Sequence, residues 1–143
     1  MRDLEIAKQA LKEKNLTLAI AKDGKIIFQS NLRGVIGIFK AIDELGGKLE
    51  SSAVADKIVG KAAALLFAYL HVAAVFASVL SVKGKDTLEK NGIKYEFEFL
   101  VPKILNRTGR DMCPFEKFSL DLENPEEAYF KLKGFAEKLL KEN

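Results

Sequence analysis

The sequence predicts an α/β fold, and three observations carry that prediction. Apolar residues recur at helical spacing in some segments and at alternate positions in others, and the two kinds interleave along the chain. Asp23-Gly24, set between two short apolar runs, supplies the positive φ values of a tight hairpin. The length of 143 residues is that of one domain, long enough to bury roughly two-thirds of its unfolded surface. A single domain over residues 1–143 is expected, with no internal repeat or interdomain linker.

Residues Asp3 to Asn15 place Leu4, Ala7, Ala10 and Leu11 on one face, so the first element is an amphipathic helix. The hairpin follows, with strands at Thr17 to Ala21 and Lys25 to Gln29. Arg33 to Leu45 reads as a second helix ended by Gly46-Gly47 as a left-handed cap. Ala55 to Leu70 reads as a third helix, and the β-branched and aromatic run Val72 to Leu80 as a buried central strand. Lys83 to Lys90 is a short helix stopped at Asn91-Gly92, and Lys94 to Val101 a strand alternating around Tyr95, Phe97 and Phe99. A polar loop after Pro102 gives way at Pro114, a first helical residue. Asn124-Pro125-Glu126-Glu127 opens the last helix with a capping side chain, a proline at N1 and acids at the positive end. Phe130, Leu132, Phe135, Leu139 and Leu140 would supply its buried face.

Composition narrows the function classes. With 23 basic and 20 acidic residues the net charge is +3, too small to argue for nucleic acid. The lone Cys113 excludes an intrachain disulfide, and Cys113 with the single His71 cannot make a zinc set of His and Cys ligands. A charged N-terminus, Met1-Arg2-Asp3-Leu4-Glu5, lacks the apolar run of a signal peptide, so a cytoplasmic setting is expected. The longest apolar stretch, Ala62 to Ser81, suits helix then strand better than a membrane span. Only two glutamines, Gln9 and Gln29, accompany abundant Lys and Glu, a bias found in thermophile proteins.

Two segments hold candidate site residues. In the helix read from Ala55, Asp56 is a natural N-cap, whereas Lys57 and Lys61 stand at the positive end of the dipole and Gly60 in the second turn. A bound anion would reverse those electrostatic costs, and Gly60 would let its oxygens approach the backbone. The competing reading has both lysines reaching solvent and Gly60 permitting close packing. Ala62-Ala63-Ala64 is explained by tight seating of the helix on a sheet. Asn106, Arg107, Arg110 and Asp111 surround the turn at Thr108-Gly109 and suit a phosphate, a carboxylate or sugar hydroxyls, or else form a solvated loop. Cys113-Pro114-Phe115-Glu116 has the form of a capping box with sulfur at the N-cap, and Cys113 is either a nucleophile or an inert buried thiol.

Asp56-Lys57-Ile58-Val59-Gly60-Lys61-Ala62-Ala63, Asn106-Arg107 and Cys113-Pro114-Phe115-Glu116 resemble an uncharacterised family within the cytidine deaminase-like superfamily, over nearly the whole chain. The resemblance implies a three-layer α/β/α fold with a mixed sheet and an N-terminal hairpin. Active zinc deaminases carry His-x-Glu at the start of the buried helix, where this chain has Lys61-Ala62-Ala63. Their Pro-Cys-x-x-Cys begins the helix after the next strand, here Ser78 to Gly84, which contains Ser81 but no cysteine. No zinc and no other cofactor is therefore expected, and the protein is non-catalytic or divergent.

The expected partner is a nucleotide-type or other phosphate-containing small molecule. Its ligand-binding set is Asp56, Lys57, Gly60, Lys61, Ser81, Asn106, Arg107, Arg110, Asp111 and Cys113, with Asp56 and Cys113 as candidates for receiving a transferred group. Two rivals are an enzyme with a metal held by Asp56, Asp111 and Glu116, and a protein or RNA interaction module without a small ligand. No membrane is expected as a partner, and the sequence leaves homo-oligomerisation open.

Overall fold

A computed structural model describes residues Arg2 to Glu142. In chain order the elements are α1 (Arg2–Glu13), β1 (Leu18–Lys22), β2 (Lys25–Ser30), α2 (Ile36–Leu45), β3 (Ala53–Val59), α3 (Lys61–Leu70), β4 (Ala74–Ser81), α4 (Val82–Lys90), β5 (Lys94–Val101), α5 (Pro114–Ser119) and α6 (Pro125–Glu142). The five strands form one mixed sheet in the order β2-β1-β3-β4-β5. β1 runs antiparallel to both β2 and β3, whereas β3, β4 and β5 are mutually parallel. The hairpin turn has Asp23 at φ 53° and Gly24 at φ 83°, the pair of positive values that a two-residue turn of this hand requires.

Helices cover both faces, giving three layers, and residue size decides how each is seated. Under α1 the sheet presents Ala19, Ala21, Ala53, Ala55 and Ala74 with Phe76, so Leu4, Ala7 and Leu11 settle close to the backbone. The opposite face presents Leu18, Ile20, Val54 and Val75 to Ile38 of α2, Leu65 and Leu66 of α3, Leu88 of α4 and Leu132 of α6. There the small residues sit on the helix instead: Ala62, Ala63 and Ala64 are buried in α3, which is apolar from its second residue to its end. α6 opens as expected, with the Glu127 N–H donating to Asn124 Oδ1 at 2.9 Å.

Four expectations are corrected. Ala55 to Leu70 is not one helix, because Ala53 to Val59 is the central strand, paired to β1 on one side and β4 on the other. Pairing with β4 along the strand and with β1 over Ala53 to Asp56 outweighs the helix preference of Ala and Lys. Gly46, at φ 49° and ψ −123°, is no left-handed cap, and the chain continues into a 3-10 turn, Gly46–Leu49. The second helix begins at Ile36 rather than Arg33. On α6 the buried face is Ala128, Tyr129, Leu132 and Ala136, whereas Phe130 and Leu140 are exposed.

Candidate functional site

The carboxyl ends of β3 and β4 lie side by side, with Val59 opposite Leu80, and each strand turns directly into a helix. Ser81 is the N-cap of α4, its Oγ accepting from the Gly84 N–H at 2.9 Å. Gly60 is the N-cap of α3, in extended backbone, and has no side chain with which to cap. The two helix starts touch. A Cβ on Gly84 would lie 3.0 Å from the Val59 oxygen and the Gly60 carbonyl carbon, so glycine is what lets α4 begin there.

The free first-turn amides of α3 are buried and need an acceptor, and the chain supplies its own. Glu116 of α5 receives the Lys61 N–H on Oε1 at 2.6 Å and the Ala62 N–H on Oε2 at 3.0 Å. A carboxylate across two first-turn amides satisfies both and lies at the positive end of the helix dipole. Burial pushes the Glu116 carboxyl above its ordinary value, against the pull of those two N–H bonds and the Lys61 charge. Gly60 makes room for it, since a Cβ there would stand 2.1 Å from Glu116 Oε1.

Lys61 is also engaged within the chain. Its stem is buried, and its Nζ donates to the Leu120 carbonyl at 2.9 Å and pairs with Glu123 Oε2 at 2.7 Å. Lys90 reaches the other oxygen of Glu123 at 3.3 Å. Gly60 and Lys61, expected to receive an external anion, are engaged within the chain: the acid at this helix start is Glu116, and the ammonium of Lys61 pairs with Glu123.

Asp56 has the opposite circumstances. It is not an N-cap, since it lies within β3 between Leu18 of β1 and Ala77 of β4. It is 7% exposed, and no Lys, Arg or His among the described residues pairs with it. The Ile58 N–H donates to its Oδ1 at 3.3 Å. Loss of water pushes its carboxyl up to about 8, with backbone N–H groups of Ile58 and Lys57 only partly opposing the shift. Lys57, next in the strand, is exposed and has no side-chain partner among the described residues.

The loop after β5 is a small hairpin of its own. The Asn106 N–H donates to the Asp111 carbonyl at 2.8 Å, Leu105 pairs with Met112, and the Cys113 N–H donates to the Ile104 carbonyl at 2.9 Å. Thr108 Oγ1 donates to Asn106 Oδ1 at 2.8 Å, and Gly109 turns the tip at φ 73°. Asp111 pairs with Lys117 at 2.8 Å, which holds its carboxyl below the usual value. The guanidinium groups of Arg107 and Arg110 have no partner among the described residues. Cys113 is half-buried at the N-cap of α5, but its sulfur makes no capping bond and Glu116 does not reach back to it, so the capping box is not formed.

Gly60, Lys61 and Ser81 thus stand where β3 and β4 end, Asp56 lies further back within β3, and α5 pins the base of the arginine hairpin to that end through Glu116. Asp111 and Asn106 are spent within the hairpin. Sequence reasoning missed Glu116 and Glu123 in these roles. The available signal was that α3 opens with no acid in its first turn, which obliges an acceptor to come from elsewhere. Among the described residues no three His, Cys, Asp or Glu side chains gather as metal ligands, and no helix is long and apolar enough to cross a membrane.

A family profile described as TM1506, domain of unknown function (DUF1893), matches residues 6–136. The crystal structure of a DUF1893 family protein, TM1506 from Thermotoga maritima, is similar with a TM-score of 0.85 and 30% identity, over 92% of this chain and 88% of that one. Two forms of RibD from Acinetobacter baumannii align with a TM-score of 0.48 and 18% identity, over 67% of this chain and 33% of theirs. No match was found among curated proteins.

Proposed function

The chain belongs to the DUF1893 family, and we propose that it binds a nucleotide-type or other phosphate-containing ligand where β3 and β4 end, with Asp56 meeting the reactive part of that ligand. The observation that carries this reading is the buried, unpaired Asp56 carboxyl. A buried acid with no cation costs folding free energy, and such groups concentrate at functional sites. Held neutral near pH 7, it can donate a hydrogen bond to a ligand oxygen or a proton to a leaving group. Once ionised, it is an oxygen nucleophile able to accept a transferred glycosyl or other group.

Arg107 and Arg110 support the phosphate half of the reading, because their charges are uncommitted within the described residues, whereas Lys57 alternates onto the face of β3 opposite Asp56. Glu116 limits it: the amides of α3 are taken, so phosphates are held by side chains. Cys113 is the second candidate acceptor of a transferred group. The divergence from His-x-Glu at Lys61-Ala62-Ala63 favours a zinc-free, deaminase-like protein. The rival carboxylate metal site gains no support, as Glu116 is bound to two amides and Asp111 to Lys117. A cytoplasmic location fits this ligand class.

The test is thermal melting with nucleotides and ADP-ribose, run on the parent chain and on Asp56→Asn, together with intact mass of the protein as purified. A ligand-dependent rise in Tm that Asp56→Asn loses, or a mass adduct on Asp56, is expected. No shift with any of these ligands and no adduct would sink the proposal. Salt-dependent RNA binding in their place would favour the interaction-module reading.

A further inference from the structure

We propose that β5 is the docking edge for a second copy of this chain, pairing antiparallel across a two-fold axis at Phe99. The sheet ends at β5, so the outward backbone groups of an eight-residue strand have no partner strand. Neither a bulge nor a proline interrupts it: β5 pairs with β4 without a register shift, Pro102 lies past its end, and its charged residues Lys94, Glu96 and Glu98 all alternate onto one face. Its apolar side chains face water. Phe99 is 66% exposed, Leu100 45% and Phe97 39%.

The two faces of β5 differ in a way that selects the partner. Glu96 and Glu98 face α1, where Lys8 and Lys12 meet them at 3.0 and 3.1 Å. Tyr95 faces α4, where it bonds Glu89, and it stacks on Phe97. By alternation Phe97, Phe99 and Val101 continue on the Tyr95 face. Each strand therefore presents an aromatic row on one side and a row of neutralised acids on the other.

Register follows from which residues would stand opposite one another. A two-fold at Phe97 sets Glu96 against Glu98, and one at Glu98 sets that residue against itself, both placing like charges in direct opposition. Centres at Tyr95 and Leu100 also avoid opposed like charges, but the first leaves Phe99 and Leu100 uncovered and the second sets Phe97 against Lys103. A two-fold at Phe99 sets Phe97 against Val101 and Glu98 against Leu100 and covers all three exposed apolar side chains. Pro102, which has no N–H, then stands just beyond the paired segment. A self-complementary contact of this kind suits a closed dimer, which joins two five-stranded sheets into one across Phe97 to Val101 of each β5.

The test is sedimentation of the full chain. The expected mass is about twice the 15.9 kDa of one chain, falling to one chain in Phe99→Lys and unchanged in Lys25→Glu at the far edge. Circular dichroism of Phe99→Lys confirms that the fold survives. For register, Phe99→Cys combined with Cys113→Ser should crosslink to a dimer under mild oxidation. Phe97→Cys in the same background should not, since those positions would lie about 14 Å apart along the strands. A monomeric parent chain, a dimer that persists in Phe99→Lys, or crosslinking through position 97 instead of 99 would overturn the proposal.

Discussion

Glu116 and Asp56 are both buried carboxyls near the ends of the parallel strands, yet they live under opposite conditions. Glu116 accepts two helix amides and lies near the Lys61 charge. Asp56 lies within the central strand with only the backbone N–H groups of Ile58 and Lys57 and no cation among the described residues. Burial raises both groups, but the acid with the fuller set of partners is the one the fold needs. The difference separates structure from function: a buried acid that holds a helix start explains itself by what it holds, whereas a buried acid with no cation, served only by backbone N–H groups beside it, needs a reason outside the fold.

The largest effect should come from breaking the satisfied member. Glu116→Ala leaves two buried amides without an acceptor and should cost roughly 3 kcal/mol or more in urea unfolding. Glu116→Gln keeps one acceptor and should recover part of the loss. If Glu116→Ala unfolds like the parent, the contrast between the two acids fails.

Gly60→Ala should come next, at about 2 kcal/mol, because the new methyl displaces the Glu116 carboxylate. In the Glu116→Ala background the same change should cost much less. A double-mutant cycle with no coupling would mean that Gly60 serves only the contact with Gly84.

Asp56→Asn sharpens the other side. With the folded carboxyl near 8 and the unfolded one near 3.8, the folded chain keeps a proton that the unfolded chain has released. Parent stability should therefore fall as pH rises from about 4 to 8, by up to about 1.4 kcal/mol per unit. Asp56→Asn should lack that fall and be the more stable of the two at pH 8. Superimposable pH profiles would show that Asp56 is paired and charged.

Arg107→Ala and Arg110→Ala should do least to the fold, within about 0.5 kcal/mol, as expected for exposed side chains without partners. They should nonetheless weaken any Tm rise given by a phosphate-bearing ligand. A stability loss of several times that size would place the guanidinium groups in the architecture instead.

Much of the architecture was readable because its signals are local. Asp23-Gly24 makes its turn within two residues, and Asn124 caps α6 three residues on. β3 was misread because Ala-Val-Ala-Asp-Lys has no strong local preference, and its strand character comes from Leu18 and Ala77 on either side. The site was half legible for the same reason. The sequence singled out Asp56, Gly60 and Lys61 and suggested that a bound anion belonged near Gly60 and Lys61. It could not show that a carboxylate from 55 residues further along the same chain takes the amide of Lys61. The reversal of roles between Asp56 and Glu116 follows from that distance.

The same distance orders events in time. When the chain emerges from its N-terminus, α3 can wind before Glu116 exists, but its first turn cannot be finished until α5 has docked. Closing so long a loop is entropically slow relative to helix winding. The amide protons of Lys61 and Ala62 should therefore be late to gain protection from hydrogen exchange during refolding, which makes them reporters of when the C-terminal third joins the sheet.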